Sequence, residues 1–140
     1  ALWQSEHAEL MPGDMIAGDM VAAIGTIIIE PPDGHMTTYL EQLDRLSRLE
    51  PRRIVPAHGA VIEDAVGRLR FYAAHRLARE EKVREALTLG PAELPEVTRR
   101  SYTDVDPKLH PLAERSCLAH LIRLEEEGEA VCSDGVWSAR

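Results

Sequence analysis

Hydrophobic and polar positions divide this chain into two stretches of different period. From Val21 to Ile29 the residues are almost all apolar and rich in β-branched side chains, which predicts a buried strand. Glu30-Pro31-Pro32-Asp33-Gly34 stops it with two prolines and a turn. Apolar residues then recur at Tyr39, Leu40, Leu43, Leu46 and Leu49, with Asp44, Arg45 and Arg48 between them. That is a helical period, with Thr37 or Thr38 as the expected cap and Pro51 as the stop. Arg53 to Val55 reads as a short strand that runs into a turn holding His58. Strand, helix and strand on short links imply an α/β layered unit. At the start, Leu2 and Trp3 read as the end of a strand already under way, so the first region is expected to be cut inside a sheet. An interrupted sheet leaves an edge open to another chain segment.

The second stretch is mainly helical. Val66 to Leu87 predicts one long helix with Leu69, Tyr72, Ala73, Leu77, Val83 and Leu87 inward and a heavily charged middle from His75 to Lys82. A short helix is expected over residues 91–102 and a third over 111–127, closed by Gly128. Ala130-Val131-Cys132, an Asp134-Gly135 turn and Val136-Trp137 predict a β-hairpin. Three helices followed by a hairpin form the winged-helix pattern, with Tyr102 and Trp137 in its core. The expected domains are therefore residues 1–65 and residues 66–140.

Composition narrows the class. The chain has 140 residues, a formal net charge of -8, 29% charged residues and 44% hydrophobic ones. These values fit a globular protein and argue against broad affinity for nucleic acid. Cys117 and Cys132 are the only cysteines and form no CxxC, which suits a reducing, cytoplasmic setting. No apolar run approaches a membrane span.

Two short motifs carry the chemistry. Ala17-Gly18-Asp19-Met20 sits just before the Val21 strand, and Ile54-Val55-Pro56-Ala57-His58-Gly59 ends the Arg53 strand. Each puts one possible metal ligand, a carboxylate or an imidazole, on a glycine-containing turn beside a strand. A catalytic zinc normally takes three protein ligands and an open position, so Asp19 and His58 are part of a site.

Together the motifs resemble those of the metallo-β-lactamase-fold hydrolases that carry a winged-helix tail. Gly18-Asp19 resembles the family's metal-bridging aspartate motif, and Pro56-Ala57-His58-Gly59 its final Pro-Gly-His-Gly motif, with Ala57 in place of glycine. Pro31-Pro32-Asp33-Gly34-His35-Met36 before Tyr39-Leu40, and His75-Arg76 before Arg79-Glu80, are typical of one branch. The resemblance covers residues 10–140. It implies an α/β fold: the C-terminal half of an αββα sandwich followed by a winged helix. It also implies two divalent ions, expected to be zinc, held in the whole protein by Asp19, His58 and histidines of a His-x-His-x-Asp-His motif that this sequence lacks. The chain alone is not expected to hold them.

His35, His75 and Arg76 are candidates for contact with an anionic substrate. For His35 a solvated loop, and for His75 and Arg76 together with Arg79 an interdomain salt bridge, are the competing readings. Asp14 reads as a plain turn residue, and His110 and His120 as surface or boundary residues. Two function classes stay open. One is a metal-dependent hydrolase acting on an ester, thioester or phosphodiester, with a small molecule or RNA as substrate. Its expected partner is the missing N-terminal half of the fold, or another chain at the open sheet edge. The other is a winged-helix module that binds nucleic acid or protein. Glu125, Glu126 and Glu127 at the end of the third helix suit DNA phosphates badly.

Overall fold

The computed structural model describes residues 11–18, 35–56 and 60–140. The Val21–Ile29 strand and the Leu2-Trp3 strand end expected from the sequence lie outside these residues, as do Asp19 and His58. Contacts divide the chain into two compact units. One comprises Ala1–Ile27 and Leu43–Tyr72, the other Ile28–Gln42 and Ala73–Arg140.

In the first unit, β1 (Asp14–Gly18) pairs in parallel with β2 (Arg53–Pro56). The register runs from Asp14 opposite Arg53 through Ile16 opposite Val55 to Gly18 opposite Pro56, with an irregularity between Ile16 and Gly18. Helix α1 (Met36–Arg48) lies between these strands in sequence and is divided between the two units after Gln42. It buries Met36, Tyr39 and Leu43, one side chain per turn. Leu49, expected inward, is exposed, because the helix has ended at Arg48 and Glu50 turns the chain with a φ of 48°. Ile54 forms an antiparallel bridge to Ile62 through two backbone hydrogen bonds of 2.9 and 2.8 Å. Ile54, Leu69 and Tyr72 are fully buried.

Helix α2 (Ala65–Thr88) starts on an Asp64 cap, whose Oδ1 accepts the Gly67 N–H at 3.0 Å. A Cβ on Gly67 would stand 2.1 Å from Asp64 Oδ2, so glycine is what lets this cap close.

The second unit has a winged-helix architecture. β3 (Ala92–Glu93), α3 (Leu94–Ser101), a 3-10 turn (Pro107–Leu109), α4 (His110–Glu126), β4 (Ala130–Ser133) and β5 (Val136–Ala139) follow in order. The sheet order is β3-β5-β4, all antiparallel. The sequence predicted helix from Pro91, whereas Ala92 and Glu93 are strand. Pro95 has no N–H to donate to a carbonyl four residues back, so it fits only in the first turn of a helix, and Glu93 before that turn is extended. The hairpin turns at Asp134 and Gly135, both at positive φ, as the Asp-Gly pair predicted. α4 ends in a Schellman motif: Glu129 N–H donates to Leu124 O at 2.8 Å and Gly128 N–H to Glu125 O at 3.0 Å. Val83, Leu87, Val97, Tyr102, Cys117, Leu121, Leu124 and Trp137 form the core.

α2 departs from its expected face. Leu77 is 48% exposed, whereas Arg76 and Glu80 are 4% and 2% exposed. His120 on α4, expected at the surface or boundary, is fully buried. The middle of α2 packs through charge, and a hydrophobic period cannot reveal that.

Asp14 also departs from its reading as a turn residue. It opens β1, and its side chain is 1% exposed. Its carboxylate accepts from Arg53 Nε at 3.0 Å, from Arg53 Nη2 and from the Met11 N–H at 2.9 Å. Arg53 is its ladder partner, so the fork closes across the strand pair where the pairing begins. The Arg53 hydrogen bond, then the Met11 N–H, hold the Asp14 carboxyl down at about 2. A carboxyl lowered by folding stabilises the fold above its ordinary value of 3.8 and loses that contribution as pH falls toward about 2. Asp14→Ala is expected to speed amide exchange along β1 and β2, and at the Arg52 N–H that donates to Gly13 O, with winged-helix amides unchanged. The unsubstituted chain should show the same selective loss only in strong acid.

Candidate metal centre

Two parallel strands release the chain at the same edge of their sheet. In open α/β sheets ligands bind outside the carboxyl ends of such strands. β1 ends at Gly18, whose ladder partner Pro56 ends β2. Asp19 follows Gly18 directly, and His58 follows Pro56 after one intervening residue, Ala57. The pairing therefore brings the two motif-bearing exits to one place, although Asp19 and His58 themselves lie outside the described residues. Their donor set, one carboxylate oxygen and one imidazole nitrogen, suits a borderline divalent ion such as zinc. Among the described residues, no group of three or more His, Cys, Asp and Glu side chains could hold a metal.

The three candidate substrate contacts fall in the second unit. His35 sits at the head of α1 and takes the capping role expected of Thr37 or Thr38. Its Nδ1 accepts the Thr38 N–H at 3.3 Å, and the Thr38 hydroxyl lies 2.8 Å away. With Nδ1 accepting, the proton is on Nε2, which meets Glu126 Oε1 at 2.6 Å. Thr37 Oγ1 reaches the other oxygen of Glu126 at 3.5 Å. His35 thus ties the first turn of α1 to the last turn of α4 while staying exposed just before the helix.

His75 and Arg76 are neighbours on α2. The Arg76 guanidinium lies 5.7 Å from the centre of the Tyr39 ring. Burial pushes the His75 imidazole below its ordinary value, and Arg76 and Arg79 push it further the same way. Arg79 is committed elsewhere. It grips Asp104 with two hydrogen bonds of 2.8 Å, donates to Ser101 O at 2.7 Å and lies over the Tyr102 ring at 4.2 Å. Arg79 is therefore a salt-bridging residue of the second unit.

Sequence reasoning missed a buried polar group beside them. Glu80 Oε2 accepts from Arg123 Nη1, and Glu80 Oε1 lies 3.6 Å from His120 Nδ1. The signal was spacing. Arg76 and Glu80 are four residues apart on α2, and His120 and Arg123 are three apart on α4, so each pair shares a helix face.

Comparison with known proteins gives these features a family. Residues 94–137 match the beta-lactamase associated winged helix domain. The Beta-lactamase-like protein 2 homolog of Drosophila melanogaster is 30% identical over 120 residues, covering 84% of this chain and 40% of its own length. Atrochrysone carboxyl ACP thioesterase dmxR1 of Cryptosporiopsis sp. (strain 8999) is 36% identical over 73 residues, covering 52% of this chain and 21% of its own. A solved metallo-beta-lactamase family protein from Thermus thermophilus superposes with a TM-score of 0.76 at 25% identity, over 91% of this chain and 42% of that one. No helix among the described residues is long and apolar enough to cross a membrane. The chain belongs to the metallo-β-lactamase-fold proteins that carry a winged-helix domain, and spans about two fifths of the length of the first relatives it matches.

Proposed function

We propose that this chain supplies the Asp19 and His58 ligands of a zinc-dependent hydrolase whose substrate is an ester or thioester. The observation that supports the reading is the parallel register, which ends with Gly18 opposite Pro56, the residues after which Asp19 and Ala57-His58 follow in sequence. The thioesterase among the relatives favours a thioester over an RNA phosphodiester, and the net charge of -8 points the same way.

A zinc pair, when bound, supplies a water acidified toward neutral pH and a Lewis acid for the substrate oxygen. The chain's own part is to hold ligands. Asp19 offers two carboxylate oxygens, enough to bridge two ions, and His58 offers one ring nitrogen while the other is free for a hydrogen bond that sets the ring. Two side chains leave most coordination positions open, so the remaining ligands come from a partner segment: the other part of the fold, or a second chain. The winged helix serves packing and substrate gating in this reading. The carboxylates of Glu126 and Glu127 at the end of α4 stay partly exposed beside their partners His35 and Arg123. That makes α4 a poor surface for DNA.

In the full-length protein, Asp19→Ala and His58→Ala are each expected to cut kcat/KM by more than about 100-fold and to lower bound zinc. Loss of a residue that only orients a ligand already costs about 10–100-fold. Glu114→Ala, on α4, should do neither. Retained turnover in Asp19→Ala would contradict the assignment.

The isolated 140-residue chain is expected to be inactive toward thioester, ester and RNA substrates with added zinc or manganese. Calorimetric titration with zinc should show weak binding only. Stoichiometric submicromolar binding, or turnover abolished by a chelator, would mean that the chain completes its site by itself or with a second copy.

A further inference from the structure

The seam between α2 and α4 buries more titratable chemistry than packing requires. His120 is fully buried, and neither ring nitrogen has a hydrogen-bond partner among the described residues. Its Nδ1 lies 3.6 Å from Glu80 Oε1, which also lacks one there. The second oxygen of Glu80 is committed to Arg123. From α2, His75, Arg76 and Arg79 bear on the same spot, and from α1 the Tyr39 ring covers Arg76. Beyond Arg79 the turn before α4 contributes Asp104, and beyond Arg123 the end of α4 contributes Glu127.

The charges there are unevenly placed, with the guanidinium groups near His120 and most of the carboxylates at the rim. Among the described residues, Arg123 pairs with the buried Glu80 and with Glu127, and Arg79 with Asp104; Asp104 and Glu127 are each about half exposed, and Arg76 and Arg79 both act on His120. A further proton on His120 would gain the Glu80 oxygen but would have to be carried without water, next to three guanidinium groups. A buried charge without full hydrogen bonding is among the costlier arrangements in a protein.

We propose that His120, with His75, is an acid-sensitive latch that keeps α4 of the winged helix closed on α2 while both imidazoles are neutral and releases it when they are protonated. The direction follows from the environment. Burial lowers the affinity of His120 for a proton, and the Glu80 contact only partly offsets this; His75 is shifted the same way, by burial first and then by Arg76 and Arg79. Both groups therefore bind protons more readily in the opened form. The closed form is fully favoured above the ordinary value of 6.5 and loses ground as pH falls below it. Each imidazole that takes up a proton on opening raises the opening constant by up to about tenfold per pH unit.

The test is amide exchange of α4, at Cys117 to Leu124, across about pH 7.5 to 5.5, with rates corrected for the intrinsic pH dependence. The chain should show an opening constant that rises below pH 6.5. His120→Gln, which stays neutral, should remove most of the rise, and His75→Gln a part of it. If His120→Gln does not fold, the Cε1 proton of His120 in the unsubstituted chain decides by its NMR titration. A midpoint below 6.5 supports the latch. A midpoint at or above 6.5, or a pH slope that persists unchanged in both variants, overturns it.

Discussion

The parallel pairing of β1 with β2 is the constraint on which the candidate site depends. Parallel strands cannot be joined by a tight turn, so the chain must leave one end of the ladder and return to the other. That return is what the sequence from Asp19 to Arg52 does, with α1 in it. Its consequence is chemical. Both strands run toward the same end of the ladder, and Asp19 and His58 follow them in sequence. At the opposite end, the Asp14–Arg53 fork fixes which residue faces which. A one-residue slip would exchange the faces of each strand and offset the two motifs from each other.

The second unit is held differently. Its core is an ordinary apolar cluster that joins Val83 and Leu87 of α2 to Cys117, Leu121 and Leu124 of α4, and beside it the two helices also meet through Arg76, Glu80, His120 and Arg123. Such networks add little net stability compared with apolar side chains of the same volume. What they add is dependence on conditions, because the interactions exist only in one protonation state. A unit with an apolar core and a titratable seam can therefore keep its fold while one contact surface responds to pH.

Much of this was legible in the sequence. Helices α1, α2 and α4, strand β2 and the Asp134-Gly135 hairpin follow from apolar period and turn chemistry, and the winged-helix pattern follows from their order. The errors are instructive. His35 rather than a threonine caps α1, because imidazole Nδ1 can accept a backbone N–H as a hydroxyl does. Ala92 and Glu93 are strand because Pro95 pins the helix start and β5 offers a partner. Asp14, Arg76, Glu80 and His120 are buried because each meets an opposite charge or a ring from a distant segment, and no window of neighbouring residues contains that information. Asp19 and His58 were singled out by their sequence motifs and lie outside the described residues, which include the strands that precede them.

The central claim is that these strands are parallel and in this register. Cross-strand backbone NOEs in the isotope-labelled chain test it directly. Contacts linking Met15 with Ile54 and Ile16 with Val55 are the predicted result. An antiparallel pattern, or a register in which Asp14 no longer faces Arg53, would separate the two motif-bearing exits and contradict the account.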